Sequence, residues 1–203
     1  MTLQAHAETF RRAGDHAVSV AEQIRPDQWD SPALGTWSVR TLVGHIGRSF
    51  TTVIDYSSRP ADQLEVTDSA QYYLVIAPPM LTDSTQIDAR AVQAGLALGE
   101  RPLDTLRELR DRAVAVLNSE DRAIQTIAGG MRLSDYLPTR IFELGVHSID
   151  LARAIGAPQA LPPDIADSIL ALSVAVAQRR GDSQELLCAL TGRGALAPDY
   201  SIV

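Results

Sequence analysis

The segment Arg140-Ile-Phe-Glu-Leu-Gly-Val-His-Ser-Ile-Asp150 constrains the possible folds more than any other stretch of the chain. At about 100° per residue, Ile141, Leu144, Leu151, Ala152 and Ile155 cover one side of a helix. Phe142, Val146 and Ile149 cover another, so the helix is apolar nearly all round and belongs inside the protein. Its polar exceptions are Arg140, Glu143, His147 and Asp150, in one narrow stripe at steps of three, four and three residues. A buried charged stripe is costly unless its members pair or hold a metal ion. The stripe is therefore a site candidate.

The other segments also favour helices. Hydrophobic residues make up 45% of the chain and aromatics only 5%, so Ala, Leu, Val and Ile must build the core. Ala and Leu lose little on entering a helix. Leu3, Ala7, Phe10, Ala17, Val20 and Ile24 predict a first helix from about Leu3 to Ile24, stopped by Pro26. Pro32 and Gly35 place a loop over Asp27 to Trp37, after which Ser38 is a good N-cap for a helix from Val39 to about Tyr56. Ser57 to about Leu81, with Pro60, Pro78 and Pro79, reads as a long loop of the length that usually has a functional role. Helix follows from about Thr82 to Asn118, broken near Gly99 and Pro102. Gly129-Gly130 marks a turn before the striped helix, for which Ser134 is the expected cap, with Pro138 in the first turn and Gly156 at the end. A further helix is expected over Pro163 to Arg180, and a strand, turn and strand from Glu185 to Val203. The expected fold is mostly α: four principal helices, an extra C-terminal helix and a short β tail.

Charge and composition narrow the function. Asp and Glu number 25 against 18 basic residues, all of them Arg, and the net charge of −7 argues against nucleic acid and anionic membranes as partners. The first residues show no basic-then-apolar leader, and the nearly apolar run Ile169 to Ala177 is about half the length of a bilayer span. A single cysteine, Cys188, leaves no internal disulfide and fits a reducing cytoplasm; in its apolar run it reads as a buried structural thiol.

Glu143 and His147 stand one helical turn apart, about 40° around the axis, so both can reach one ion. Two ligands do not hold a divalent cation tightly, and His45 is the natural third. His6 and His16 lie in polar surroundings on the first helix and read as solvated. His45 shares its helix face with Thr41, Ser49 and Thr52, about 120° from the centre of the apolar stripe. Periodicity leaves open whether it faces solvent or a cavity.

Thr36-Trp37-Ser38-Val39-Arg40-Thr41-Leu42-Val43-Gly44-His45 resembles the W-[ST]-V-x-x-[LV]-[VL]-x-H segment of the DinB-like superfamily. Arg140 to Gly156 resembles the R-x-x-E-x-x-x-H-x-x-D-[LI]-A-x-A-x-G signature of its mycothiol-dependent maleylpyruvate isomerase branch. Leu186 to Arg193 looks like the L-x-L-T-G-R ending common there. The resemblance implies a four-helix bundle over residues 1–157 that holds a divalent metal, usually zinc, through His45, Glu143 and His147, with 158–203 packed on it as an extension. It also implies a low-molecular-weight thiol such as mycothiol, used for thiol transfer or isomerisation. The isomerase has a larger C-terminal domain, whereas a short stretch follows Gly156 here, so maleylpyruvate itself is not implied as substrate.

Two nitrogens and one carboxylate oxygen leave a tetrahedral ion with an open position, where a thiol loses its proton and becomes a nucleophile. Arg140 and Asp150 are the candidates to orient a ligand or meet a substrate carboxylate, unless they form a buried salt bridge with each other or with Glu143. Ser49 and Arg140 are the nearest polar groups for a cofactor to touch. The partners expected are a small thiol and a small electrophile, with the chain a monomer or homodimer. A metal-dependent hydrolase and a non-catalytic metal- or ligand-binding stress-response module are the competing readings.

Overall fold

The computed structural model describes residues 2–82, 84–118 and 120–202. The chain is mostly α. Its helices are α1 (Leu3–Ala21), α2 (Val39–Ser57), α3 (Ser69–Thr82), α4 (Ser84–Ala97), α5 (Pro102–Ala115), α6 (Leu133–Ile155), α7 (Pro163–Arg180) and α8 (Ser183–Leu190). Two small antiparallel hairpins join them: β1 (Pro32–Leu34) with β2 (Trp37–Ser38), and β3 (Ala123–Thr126) with β4 (Gly129–Arg132). No helix among the described residues is long and apolar enough to cross a membrane.

Helices α1, α6, α2 and α5 close a four-membered ring, each packing on its two neighbours. Phe10 and Phe50 meet edge to face inside it, with centroids 6.0 Å apart. Leu42, Ile46, Leu106, Leu137 and Ile141 fill the same core. Each buried side chain of this size contributes roughly 1.5–3 kcal/mol. Outside the ring, α4 lies along α2, α7 along α6, and α3 on α6 and α7. The approach of α4 to α2 is close because two glycines face each other: a Cβ on Gly44 would collide with the backbone of Gly95. Gly44 directly precedes His45, so this contact sets the depth at which the histidine sits.

Six local expectations need correction. The stretch from Ser57 to Leu81 is not one long loop, because α3 begins at Ser69. Asp68 starts it: its Oδ1 accepts from the backbone N–H groups of Ala70 and Gln71, an N-cap that outweighs the proline signal downstream. The tail is α8 rather than a strand. Leu186, Leu187, Ala189 and Leu190 are good helix formers, and among the described residues no sheet edge is there to pair a strand. The cap of α6 is not Ser134, which lies inside the first turn; Asp121 accepts from Ser134 N–H at 3.0 Å and from its hydroxyl at 2.8 Å. Pro138 sits one turn deeper than expected, and its missing N–H leaves the Ser134 carbonyl without a helical partner. His6 Nδ1 donates to that carbonyl at 2.8 Å, so His6 is a half-buried structural group, not a solvated one. His16 is likewise half-buried. At the other end α6 stops as expected: Gly156 has φ 74°, and Ala157 N–H returns to Ala152 C=O.

Candidate metal centre

Ser38 caps α2 by accepting from Thr41 N–H at 3.3 Å, and the helix then carries His45 into the bundle two turns later. On α6, Glu143 and His147 face it from one stripe. Ligand atoms of the three side chains all lie within 4.8 Å of one another. Glu143 Oε2 is 3.3 Å from His147 Nε2 and 3.7 Å from His45 Nε2. The rings of His45 and His147 stand at 89° with centroids 4.8 Å apart. His45 thus faces a cavity rather than open solvent.

Each member is held from behind. Asp150 Oδ2 bonds His147 Nδ1 at 3.1 Å, which turns Nε2 toward the centre. Tyr73 donates to Glu143 Oε1 at 2.9 Å, leaving Oε2 to face the histidines. Trp37 packs on His45 at 4.7 Å between centroids and is itself anchored by donating to Asp88 Oδ1 at 2.7 Å. Carboxylate or hydroxyl support behind a ligand fixes ring orientation and raises basicity. Tyr73 was invisible to sequence reasoning because its helix was read as loop; Asp68 followed by an apolar run was the signal that could have found it. Arg140 makes no ion pair among the described residues. Its Nε donates to Thr139 Oγ1 at 3.0 Å, and its guanidinium lies over the rings of Tyr136 and Tyr72 at 5.0 and 5.7 Å. The alternative of a buried salt bridge between Arg140 and Asp150, or from Arg140 to Glu143, is not formed among the described residues.

The electrostatics follow from this packing. Burial favours the neutral form of Glu143, yet the close approach of the His147 and His45 rings and the charge of Arg140 outweigh it and hold the carboxyl well below its ordinary range. Burial would also lower His147, but Asp150 and Glu143 raise it to about 9. Burial dominates at His45 and lowers it. His45 Nδ1 is buried with no hydrogen-bond partner among the described residues. Two imidazoles, one of them with an orphaned buried nitrogen, and an ionised carboxylate on a single point form a donor set that suits a divalent ion such as zinc. The residues present fit the group.

The family model for the mycothiol maleylpyruvate isomerase N-terminal domain matches residues 10–152. The chain belongs to that family. The matched span of the mycothiol maleylpyruvate isomerase N-terminal domain contains His45, Glu143, His147 and the supporting Trp37, Tyr73 and Asp150. No curated protein and no solved structure matches the chain. Beside the centre, the bundle opens into a cavity of about 520 Å³ lined by His45, Ser49, Tyr136, Arg140 and Glu143 among others. That volume is within the range of small-molecule sites.

Proposed function

We propose that this protein is a metal-dependent enzyme that joins a low-molecular-weight thiol such as mycothiol to a small electrophile, or isomerises the electrophile through such a thiol. The observation that carries the reading is the convergence of His45, Glu143 and His147 within 4.8 Å, two of them, His45 and Glu143, on the wall of a ligand-sized cavity, in a chain of this family. His45, Glu143 and His147 would hold the ion, and Asp150 and Tyr73 would keep two of them aimed at it. A bound zinc ion supplies Lewis acidity, lowering the pKa of a thiol that meets it. Trp37, packed on the His45 ring, would help to hold that ring in place. In this reading residues 1–157 are the metal-binding bundle, 158–203 brace α6, and a reducing cytoplasm supplies the thiol.

The test is spectroscopic and kinetic. Cobalt-substituted protein should develop sulfur-to-metal charge-transfer absorption when mycothiol is added, and turnover of an electrophile panel should require the thiol. An unchanged spectrum at saturating thiol, with thiol-independent hydrolysis of the same panel, would replace this reading by a metal-dependent hydrolase.

A further inference from the structure

Among the described residues eight large apolar side chains are exposed, and two of them, Val75 at 42% and Ile127 at 62%, belong to the wall of the cavity of about 520 Å³. Exposed apolar side chains scattered singly need no explanation. These two share one opening. Exposure rises across the same wall: Tyr136 is buried, Ile76 and Ile87 are half-buried, and Val75 and Ile127 stand in solvent. Val75 and Ile127 therefore mark its rim.

Ile127 is the more telling of the pair. It opens the two-residue turn between β3 and β4, a position where Gly, Asn and Asp are the usual residues. The hairpin of β1 and β2 follows that rule, turning on Gly35 at φ 55°. In the second hairpin the positive φ falls on Gly129, at 117°, so the backbone requires nothing particular at position 127. Ala128 beside it packs against the core, whereas Ile127 lines the cavity. The tip is also held firmly. Thr126 Oγ1 donates to the Gly129 carbonyl at 2.7 Å and accepts from Ala128 N–H at 3.1 Å. The preceding loop binds the hairpin along its length. Gln125 N–H donates to the Arg59 carbonyl at 2.8 Å, and the Glu65 and Val66 N–H groups donate to the Gly130 carbonyl at 2.8 and 3.0 Å. A braced hairpin thus keeps a stiff, β-branched apolar side chain in water at the rim, where neither the turn nor the core requires it.

We propose that Ile127 and Val75 form an apolar lip that grips the far end of the electrophile, so that Ile127 selects substrates with an extended, uncharged hydrocarbon tail. A ligand that reaches from His45 and Glu143 to the lip covers both side chains and removes their apolar surface from water. The occupant is the electrophile rather than the thiol, because a sugar-based, hydroxyl-rich thiol such as mycothiol loses hydration at an apolar lip and gains little there. That choice of partner rests on the thiol-transfer reading above; the hold of the lip on an apolar chain does not.

Straight-chain alcohols from butanol to decanol test the lip without turnover, by displacing the neutral dye N-phenylnaphthylamine from the purified protein. Affinity should rise about fourfold for each added methylene that the cavity covers. Ile127→Asn introduces a residue that turns favour, and Val75→Thr keeps the outline of valine, so melting curves should match the wild type. Each substitution should weaken the alcohols long enough to reach the lip by about fivefold or more, and leave the short ones unchanged. Leu190→Ser removes an exposed apolar side chain outside the cavity wall and should change none of them. Every alcohol carries the same hydroxyl, so ligation of a metal by that group cancels across the series. Loss confined to the long alcohols supports the lip. No displacement at any length, equal loss at all lengths, or no loss in either variant overturns it. So does a dimer in sedimentation that Ile127→Asn converts to a monomer, because a second copy would then cover the rim. Alkyl-substituted enones with mycothiol read the choice of partner: kcat/KM should rise with tail length, and this rise should flatten in Ile127→Asn. A length preference without a thiol requirement keeps the lip and removes thiol transfer, whereas thiol-dependent turnover indifferent to tail length keeps thiol transfer and removes the lip.

Discussion

Helix α6 meets a histidine at each of two places, and the two environments are opposite. Near its start, His6 of α1 fills one vacancy, the Ser134 carbonyl left unpaired by Pro138. Asp121 holds the Ser134 N–H and hydroxyl beside it, and burial lowers the pKa of His6 more than the bond to that carbonyl raises it. Two turns later His45 and His147 meet around an ionised Glu143, one His45 nitrogen stays unpartnered, and His147 is raised to about 9. A histidine that completes a backbone bond is a plug. Histidines that share one carboxylate, with further groups aiming them, are poised for a cation.

The comparison breaks first at the metal. His147→Ala should reduce bound divalent metal from near one ion per chain to near zero by elemental analysis, whereas His6→Ala should retain it. Full metal in the His147 variant would show that the cluster is satisfied by its own hydrogen bonds. Asp150→Asn is a gentler probe: it leaves the three ligand side chains in place but removes the charge that orients His147, so metal affinity should fall roughly 10- to 100-fold in a competition titration. Chelation comes next. An ion bound only by the folded state at about 100 times its Kd adds roughly 2.7 kcal/mol, so its removal should lower the Tm by several degrees. The same treatment should leave the smaller Tm loss of His6→Ala, about 1 kcal/mol or roughly 2–4 °C, unaltered.

The subtlest contrast is pH dependence in metal-free protein. The folded-state pKa of His147, about 9, lies above the ordinary 6.5, so the folded state holds its proton more tightly. Its contribution is complete below about pH 6.5 and is lost as pH rises through about 9. The pKa of His6 is lowered, so its contribution is present above about 6.5 and is lost as pH falls through the lowered value. Melting curves of wild type against His147→Gln should therefore converge toward alkaline pH, and against His6→Gln toward acid. Parallel curves across that range would erase the distinction between the two histidines.

Most helices were legible because their signals are local. Ser38 capping, Gly156 at a positive φ and the Pro163–Arg180 helix are matters of neighbouring residues and came out as read. The failures have different causes. Asp121, a neighbour in space, took the cap from Ser134, whereas α3 starts at a local cap, Asp68, that the downstream prolines outweighed in the reading. Leu186 to Leu190 had no sheet edge to join among the described residues.

The sequence alone determined a mostly helical chain with a buried polar stripe, because apolar periodicity requires burial and the charges within it require partners. Motif spacing named His45, Glu143 and His147. Only the tertiary structure decided that His45 turns inward, since a residue 120° off its apolar stripe can face solvent or a cavity until a second helix arrives. It alone brought Tyr73 and Asp150 behind the ligand atoms, left Arg140 without a carboxylate, and set Arg48 and Arg90 beside it. Those groups come from helices far apart in the chain, and convergence of that kind has no period to read.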